Sequence, residues 1–184
     1  MGVPYVPIVG LAGSHLLERR EDMLLVPDPF DPAVLTVVAR ALRPDVALFH
    51  ALEADRAGNV STGYPSDNVL LAEASRTVIV TAERIVERVA PQDAVGTFMP
   101  GLLVDAVVEA PGGAHPAACP GAYAADAEHM AEYVAASRGD EAFAAYLEKY
   151  VFSVPDHAAY LERHAPGLPP GGHGAGGGRR AAGD

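Results

Sequence analysis

Val46-Ala-Leu-Phe-His-Ala51 and Thr77-Val-Ile-Val-Thr81 decide the fold of this chain. Both are short, continuous apolar or β-branched runs without the alternation of a half-buried strand. Such runs predict strands buried on both faces, as in a parallel sheet. Residues 34–39 form an earlier run of the same kind. Between residues 51 and 77 lie a polar turn, Asp55-Arg-Ala-Gly-Asn59, and a stretch, 67–75, whose Val69, Leu70, Ala72 and Ala74 suit a helix. Strand, turn, helix, strand is the order of a right-handed crossover unit. Residues 104–108 add a fourth strand, which Pro111-Gly-Gly stops. The expected fold is α/β, with an open, mostly parallel sheet and flanking helices.

Outward from this centre the signals are shorter. Pro4 and Pro7 keep residues 2–9 extended and suit an edge strand. Ser14 can cap one or two helical turns over 14–20, and 23–26 is a short strand. Asp28-Pro-Phe-Asp-Pro32 is a turn-rich joint. Residues 126–137 and 140–151 are amphipathic helices. Asp140 suits a cap, and Phe143, Tyr146, Leu147 and Tyr150 form one stripe that suits a core or a subunit contact. Residues 155–163 form a last helix with Pro155 in its first turn. One domain is expected over 1–165, and a disordered Gly/Pro-rich tail over 166–184.

The 184 residues are 49% hydrophobic and 20% charged, enough apolar material for a packed core. The net charge of −11 argues against nucleic acid and anionic membrane as partners. A polyanionic ligand would need local cations or backbone amides. The single thiol, Cys119, has no internal disulfide partner, which fits a reducing cytosol. No apolar run reaches the length of a membrane span, and residues 1–10 carry no signal-peptide pattern. A cytoplasmic location is expected.

Two segments could carry chemistry. The first runs from His50 to Asn59, at the C-terminal end of a parallel strand, where open α/β sheets bind ligands. Asn59 could donate to a substrate carbonyl, and Gly58 would let backbone approach closely. Equally, Asp55 could cap the turn, Gly58 and Asn59 could supply left-handed residues, and His50 could be a satisfied buried histidine. The second is Pro111-Gly-Gly-Ala-His115. The amides of Gly112 and Gly113 could hold a thioester oxyanion or a phosphate with His115 beside them. Otherwise this is a strand-exit loop. Among the carboxylates, Glu73, Glu83 and Glu87 read as solvated groups in helical or turn contexts, and Glu109 as a strand-end ion pair. His115 and Cys119 are four apart, but no second pair completes a metal site, so no metal is expected.

Four stretches occur together: Val3-Pro-Tyr-Val-Pro-Ile8, Leu42 to His50 running into Ala54-Asp-Arg-Ala-Gly-Asn-Val60, Pro100 to Pro116, and Tyr150 to Tyr160. In that order and spacing the chain resembles the α-type subunit of glutaconate-type, family I coenzyme A-transferases. The resemblance implies a heteromeric enzyme that moves CoA between carboxylic acids through a glutamyl-CoA intermediate. It places the nucleophilic glutamate on a β-type partner and none in this chain. CoA would be a substrate, with no permanently bound cofactor, and His50, Gly58, Asn59, Gly112, Gly113 and His115 would be pocket candidates. Relatives of the family hydrolyse cyclic acyl-CoA rings or decarboxylate acyl-CoA, so those chemistries are alternatives. In the family a further N-terminal portion precedes the stretch resembling Val3 to Ile8. A C-terminal part of such a subunit is therefore expected, with an inactive fragment as a third possibility.

Overall fold

The computed structural model describes residues 3–168. The chain divides into two compact units, Met1–Pro44 and Asp45–Asp184.

The first unit holds β1 (Tyr5–Ile8), α1 (His15–Arg19), β2 (Met23–Pro27) and β3 (Leu35–Arg40). Its sheet is antiparallel, in the order β1-β3-β2, with Tyr5 opposite Arg40 and Pro27 opposite Leu35. Pro7 is tolerated because β1 is an edge strand. Between β2 and β3 the Asp28 carboxylate accepts from the Phe30 and Asp31 amides at 2.8 and 3.2 Å, an aspartate-driven turn. This corrects the expectation for residues 34–39. The run is a strand, but a central antiparallel one, and only Val37 in it is buried. An apolar run carries no direction; the tight Asp28 turn sets it.

The second unit holds β4 (Val46–Asp55), β5 (Val60–Ser61), α2 (Asn68–Ala74), β6 (Thr77–Val86), β7 (Phe98–Met99), a 3-10 turn (Gly101–Leu103) and β8 (Ala106–Glu109). The strand order is β7-β5-β4-β6-β8. The β4, β6 and β8 strands are parallel, from Val46 opposite Thr77 to Asp55 opposite Val86 and from Ile79 opposite Ala106 to Ala82 opposite Glu109. The short β5 strand pairs antiparallel with β4 on one side and with β7 on the other. The result is an open, mixed α/β sheet whose long strands are the parallel ones.

The core gathers Ala47, Ala51 and Ala54 of β4, Val78, Val80 and Ala82 of β6, Val60, Met99 and Ala72 of α2. Val78 and Val80 are at most 2% exposed, and burial of each contributes roughly 1.5–3 kcal/mol. Coverage is one-sided. Val46 and Leu48 are 54% and 65% exposed, and burial along β6 alternates. Both faces are apolar in sequence, as expected, but among the described residues the start of β4 stays open on one of them.

Three helices follow. The α3 helix (Ala127–Ala136) is capped by Asp126, whose carboxylate accepts from the His129 amide at 2.9 Å. The α4 helix (Asp140–Leu147) has Gly139 at its cap, so Asp140 is the first helical residue rather than the cap. It ends in a π-turn, Glu148–Phe152. The α5 helix (His157–His164) is capped by Asp156, with Pro155 before the cap rather than in the first turn. The aromatic stripe is internal to this helical layer, with Tyr133 edge-on to Tyr146 at 5.4 Å and Phe143 parallel to it at 6.1 Å. From residue 169 onward the expected tail lies outside the described residues. No helix among the described residues is long and apolar enough to cross a membrane.

Candidate functional site

Parallel pairing sets His50 of β4 opposite Thr81 of β6, two residues before Glu83. The imidazole bridges the two, with Nδ1 2.8 Å from Thr81 Oγ1 and Nε2 2.6 Å from Glu83 Oε1. Two further donors reach the same carboxylate. The Gly112 amide donates to Oε2 at 2.8 Å, and the Tyr123 hydroxyl donates to Oε1 at 2.7 Å. Glu83 is 8% exposed. Burial alone pushes its carboxyl up, but the bonds from His50, Gly112 and Tyr123 outweigh it and hold the group below the usual carboxylate range. Burial, together with this carboxylate, pushes the Tyr123 phenol well up and the Cys119 thiol up to about 11, so both stay protonated.

Glu83 is the residue that sequence reasoning missed. It is not a solvated group in a turn; it lies inside β6, which continues five residues past Thr81. The signal available was the β-branched pair Ile85-Val86 beyond the charged Glu83-Arg84.

Of the expected site residues, His50, Gly112 and Gly113 meet here. A Cβ on Gly113 would stand 2.7 Å from the Ala110 carbonyl oxygen and 2.9 Å from His50 Cε1, so only glycine fits. The loop amides are spent internally. Gly113 donates to Ala110 O at 2.9 Å, Ala114 to Tyr123 Oη at 2.9 Å, and His115 to Gly112 O at 3.0 Å. No amide of Gly112 or Gly113 is left to hold an oxyanion in this arrangement. His115 does not join Glu83; it turns toward the helices, with Nδ1 2.7 Å from Tyr160 Oη.

The segment from Asp55 to Asn59 builds a second arrangement. The Asp55 carboxylate accepts from the amides of Ala57, Asn59 and Val89 and from the Asn59 side chain, at 2.9–3.0 Å. Asn59 Oδ1 accepts from the Gly101 amide at 3.0 Å, so both ends of the Asn59 amide are engaged. Gly58, at φ +85°, lets the chain pass with its Cβ position only 3.2 Å from Gly101 Cα. Beside this crossing opens a cavity of about 480 Å³, lined by Asp55, Arg56, Gly58, Ile85, Val104 and Glu109 among others. Of the six expected pocket residues, Gly58 lines it. Glu109 is exposed at its rim and, among the described residues, makes no ion pair, in contrast to its expected role.

Burial pushes the Asp55 carboxyl up, and its four donors, led by the Val89 amide, reverse this and hold it below its ordinary value. A depressed folded-state pKa means that the folded chain binds fewer protons than the unfolded one. The stability that Asp55 and Glu83 contribute is therefore complete above the unfolded value of about 4 and is lost as pH falls through the folded values. Urea midpoints should drop steadily below about pH 4. Asp55→Asn should flatten that drop and lower stability at pH 7 by roughly 1–3 kcal/mol. A wild-type midpoint indifferent to pH down to 3 would contradict both assignments.

Residues 33–110 match the family described as Coenzyme A transferase. Over 180 residues the chain is 34% identical to the A-type subunit of glutaconate CoA-transferase from Acidaminococcus fermentans, covering 89% of this chain and 56% of that one. The crystal structure of glutaconate coenzyme A-transferase from the same organism superposes with a TM-score of 0.79 at 31% identity, covering 89% of this chain and 57% of that chain. The decarboxylase AibA/AibB superposes with a TM-score of 0.66 at 35% identity, over 82% of this chain and 54% of that one. The chain thus spans little more than half the length of these relatives. In sequence and in fold alike, it belongs to the coenzyme A transferase family, on the side of its A-type subunits.

Proposed function

We propose that this chain is part of the α-type subunit of a CoA-transferase that moves CoA between carboxylic acids, with the nucleophilic glutamate on a β-type partner. The likeness to A-type subunits supports the reaction class. The state of Glu83 supports the placement of the nucleophile. A carboxylate that attacks a thioester needs a free oxygen within reach of the acyl carbon. Both Glu83 oxygens are held by donors, in a residue 8% exposed.

In the proposed cycle the partner's carboxylate attacks the acyl-CoA carbonyl, and the carbon–sulfur bond breaks. The released CoA thiolate then attacks the resulting glutamyl anhydride and expels the first carboxylic acid. The acceptor acid's carboxylate attacks the glutamyl-CoA thioester and displaces the thiolate again, leaving an anhydride between acceptor and glutamate. The thiolate then takes the acceptor's acyl group and restores the glutamate. CoA is a substrate throughout, and no permanent cofactor is invoked. This chain would supply a wall of the crevice. Gly58 admits the thioester close to the backbone, and Arg56 offers a cation in a chain of net charge −11. A reducing, cytoplasmic setting goes with this reading. The likeness to the decarboxylase favours one alternative, in which the same frame acts on acyl-CoA without an acceptor acid.

Co-expression with a β-type chain, followed by an acyl-CoA-to-acetate transfer assay, tests the proposal. The complex should form acetyl-CoA and lose that activity when the partner's glutamate is replaced by alanine. Consumption of acyl-CoA without an acceptor would establish the hydrolase or decarboxylase instead. Activity that survives the partner substitution but is lost in Glu109→Gln would move the nucleophile to this chain. Failure to form any complex would identify an inactive fragment.

A further inference from the structure

His115 and Cys119 are neighbours in sequence, but the fold separates their roles. Cys119 sits near Glu83, whereas His115 turns toward the start of α3. There a ring nitrogen of His115, a carboxylate oxygen of Asp126 and a ring nitrogen of His129 lie within 4.8 Å of one another. Asp126 caps α3 and His129 sits on its first turn, three residues on, so the two share a face. The side chain of His115 is 5% exposed, as is residue His129.

Three observations go beyond an aromatic cluster. Each imidazole is held from outside by a tyrosine hydroxyl, His115 Nδ1 by Tyr160 at 2.7 Å and His129 Nε2 by Tyr146 at 2.8 Å. Metal-binding histidines are normally fixed in this way, with one nitrogen anchored and the other free to coordinate. Next, His115 Nε2 lies 3.4 Å from Asp126 Oδ2. That is long for a charged hydrogen bond, but ligands about 2.0–2.1 Å from a tetrahedral zinc ion stand about 3.3 Å apart. Finally, His164 lines a cavity of about 360 Å³ together with His115 and Asp126, and its buried Nε2 has no hydrogen-bond partner. Buried nitrogens are rarely left so.

We propose that His115, Asp126 and His129 bind a divalent transition ion, zinc by preference, with a fourth position open toward the cavity that His164 lines. Two histidines and a carboxylate are a ligand set that zinc accepts in open sites. A water or anion in the open position would give His164 Nε2 its partner. The second cluster with ligand atoms, His50, Glu83 and Cys119, is a poorer host. Both Glu83 oxygens are already bonded. Zinc at the first cluster would pin the loop carrying Gly112 to α3, whether or not the transferase proposal holds.

The full chain, stripped with a chelator and titrated with zinc against a chromophoric competitor, should take up one ion. His115→Ala should abolish uptake. Asp126→Asn, which keeps a good helix cap and so preserves the fold, should weaken binding at least tenfold. His15→Ala, at a side chain 94% exposed, should leave binding unchanged. No uptake by the wild-type chain overturns the proposal. So does equal affinity in Asp126→Asn, or loss of binding in Cys119→Ser, which would move the ion to the other cluster.

Discussion

Glu83→Ala should destabilise the second unit by about 3–5 kcal/mol, the cost of removing one partner from a buried charged network. Three groups would lose their acceptor at once: His50 Nε2, the Tyr123 hydroxyl and the Gly112 amide. Each buried donor left unsatisfied costs roughly 1–3 kcal/mol. Water reaches part of the site, since the His50 side chain is 14% exposed, and this keeps the total below the simple sum. Glu83→Gln keeps the volume but turns an NH2 toward at least one of these donors, so it should lose about half as much. Urea unfolding of each variant measures the effect. A loss below about 1 kcal/mol in Glu83→Ala would mean that the carboxylate is hydrated after all.

Gly101→Ala should lower stability by about 2–4 kcal/mol and reduce any activity that depends on the crevice. A Cβ at this position would stand 2.1 Å from the Ala57 carbonyl oxygen and 3.0 Å from the carbonyl carbons of Ala57 and Gly58. Those atoms are backbone, so no change of rotamer relieves the collision. Overpacking of this kind costs roughly 1–3 kcal/mol, and displacing the turn also breaks the bond from the Gly101 amide to Asn59, worth roughly 0.5–1.5 kcal/mol. Gly101 and Gly58 cross at the edge of the crevice, so the same displacement shifts the wall that Gly58 provides. Urea unfolding and the transfer assay on the complex read the two effects. Unchanged stability would mean that the crossing is loose.

The parallel centre of the fold is legible in residues 46–51 and 77–81 because apolar runs bounded by polar turns have few other solutions. The end of β6 is not. After Thr81 the sequence reads Ala82-Glu-Arg-Ile-Val-Glu87, a charge pattern that helices and turns share, and only its pairing with β4 makes it a strand. Strand direction is equally hidden. Residues 34–39 and 46–51 look alike, yet one is antiparallel and the other parallel, because the turns outside them decide. The Asp55-to-Asn59 turn is legible only in part: Asp55 accepts from Ala57 and Asn59 close by, but the Val89 amide on Asp55 and the Gly101 amide on Asn59 come from 34 and 42 residues away, and of the expected left-handed pair only Gly58 has a positive φ. The meeting of His50 with Gly112 and Gly113, and of His115 with Asp126 and His129, depends on tertiary packing that no short-range spacing records.

The donors to Glu83 also have an order in time. A chain emerging from its N-terminus presents His50 first and then the carboxylate, but Tyr123 follows Glu83 by 40 residues. Parallel pairing of β4 with β6 must itself close a long loop before any ladder bond forms, which makes it slow. Until the last donor is synthesised the carboxylate remains hydrated, and the strand end that carries it cannot be sealed. The seal on this carboxylate thus waits for a residue 40 positions downstream of it.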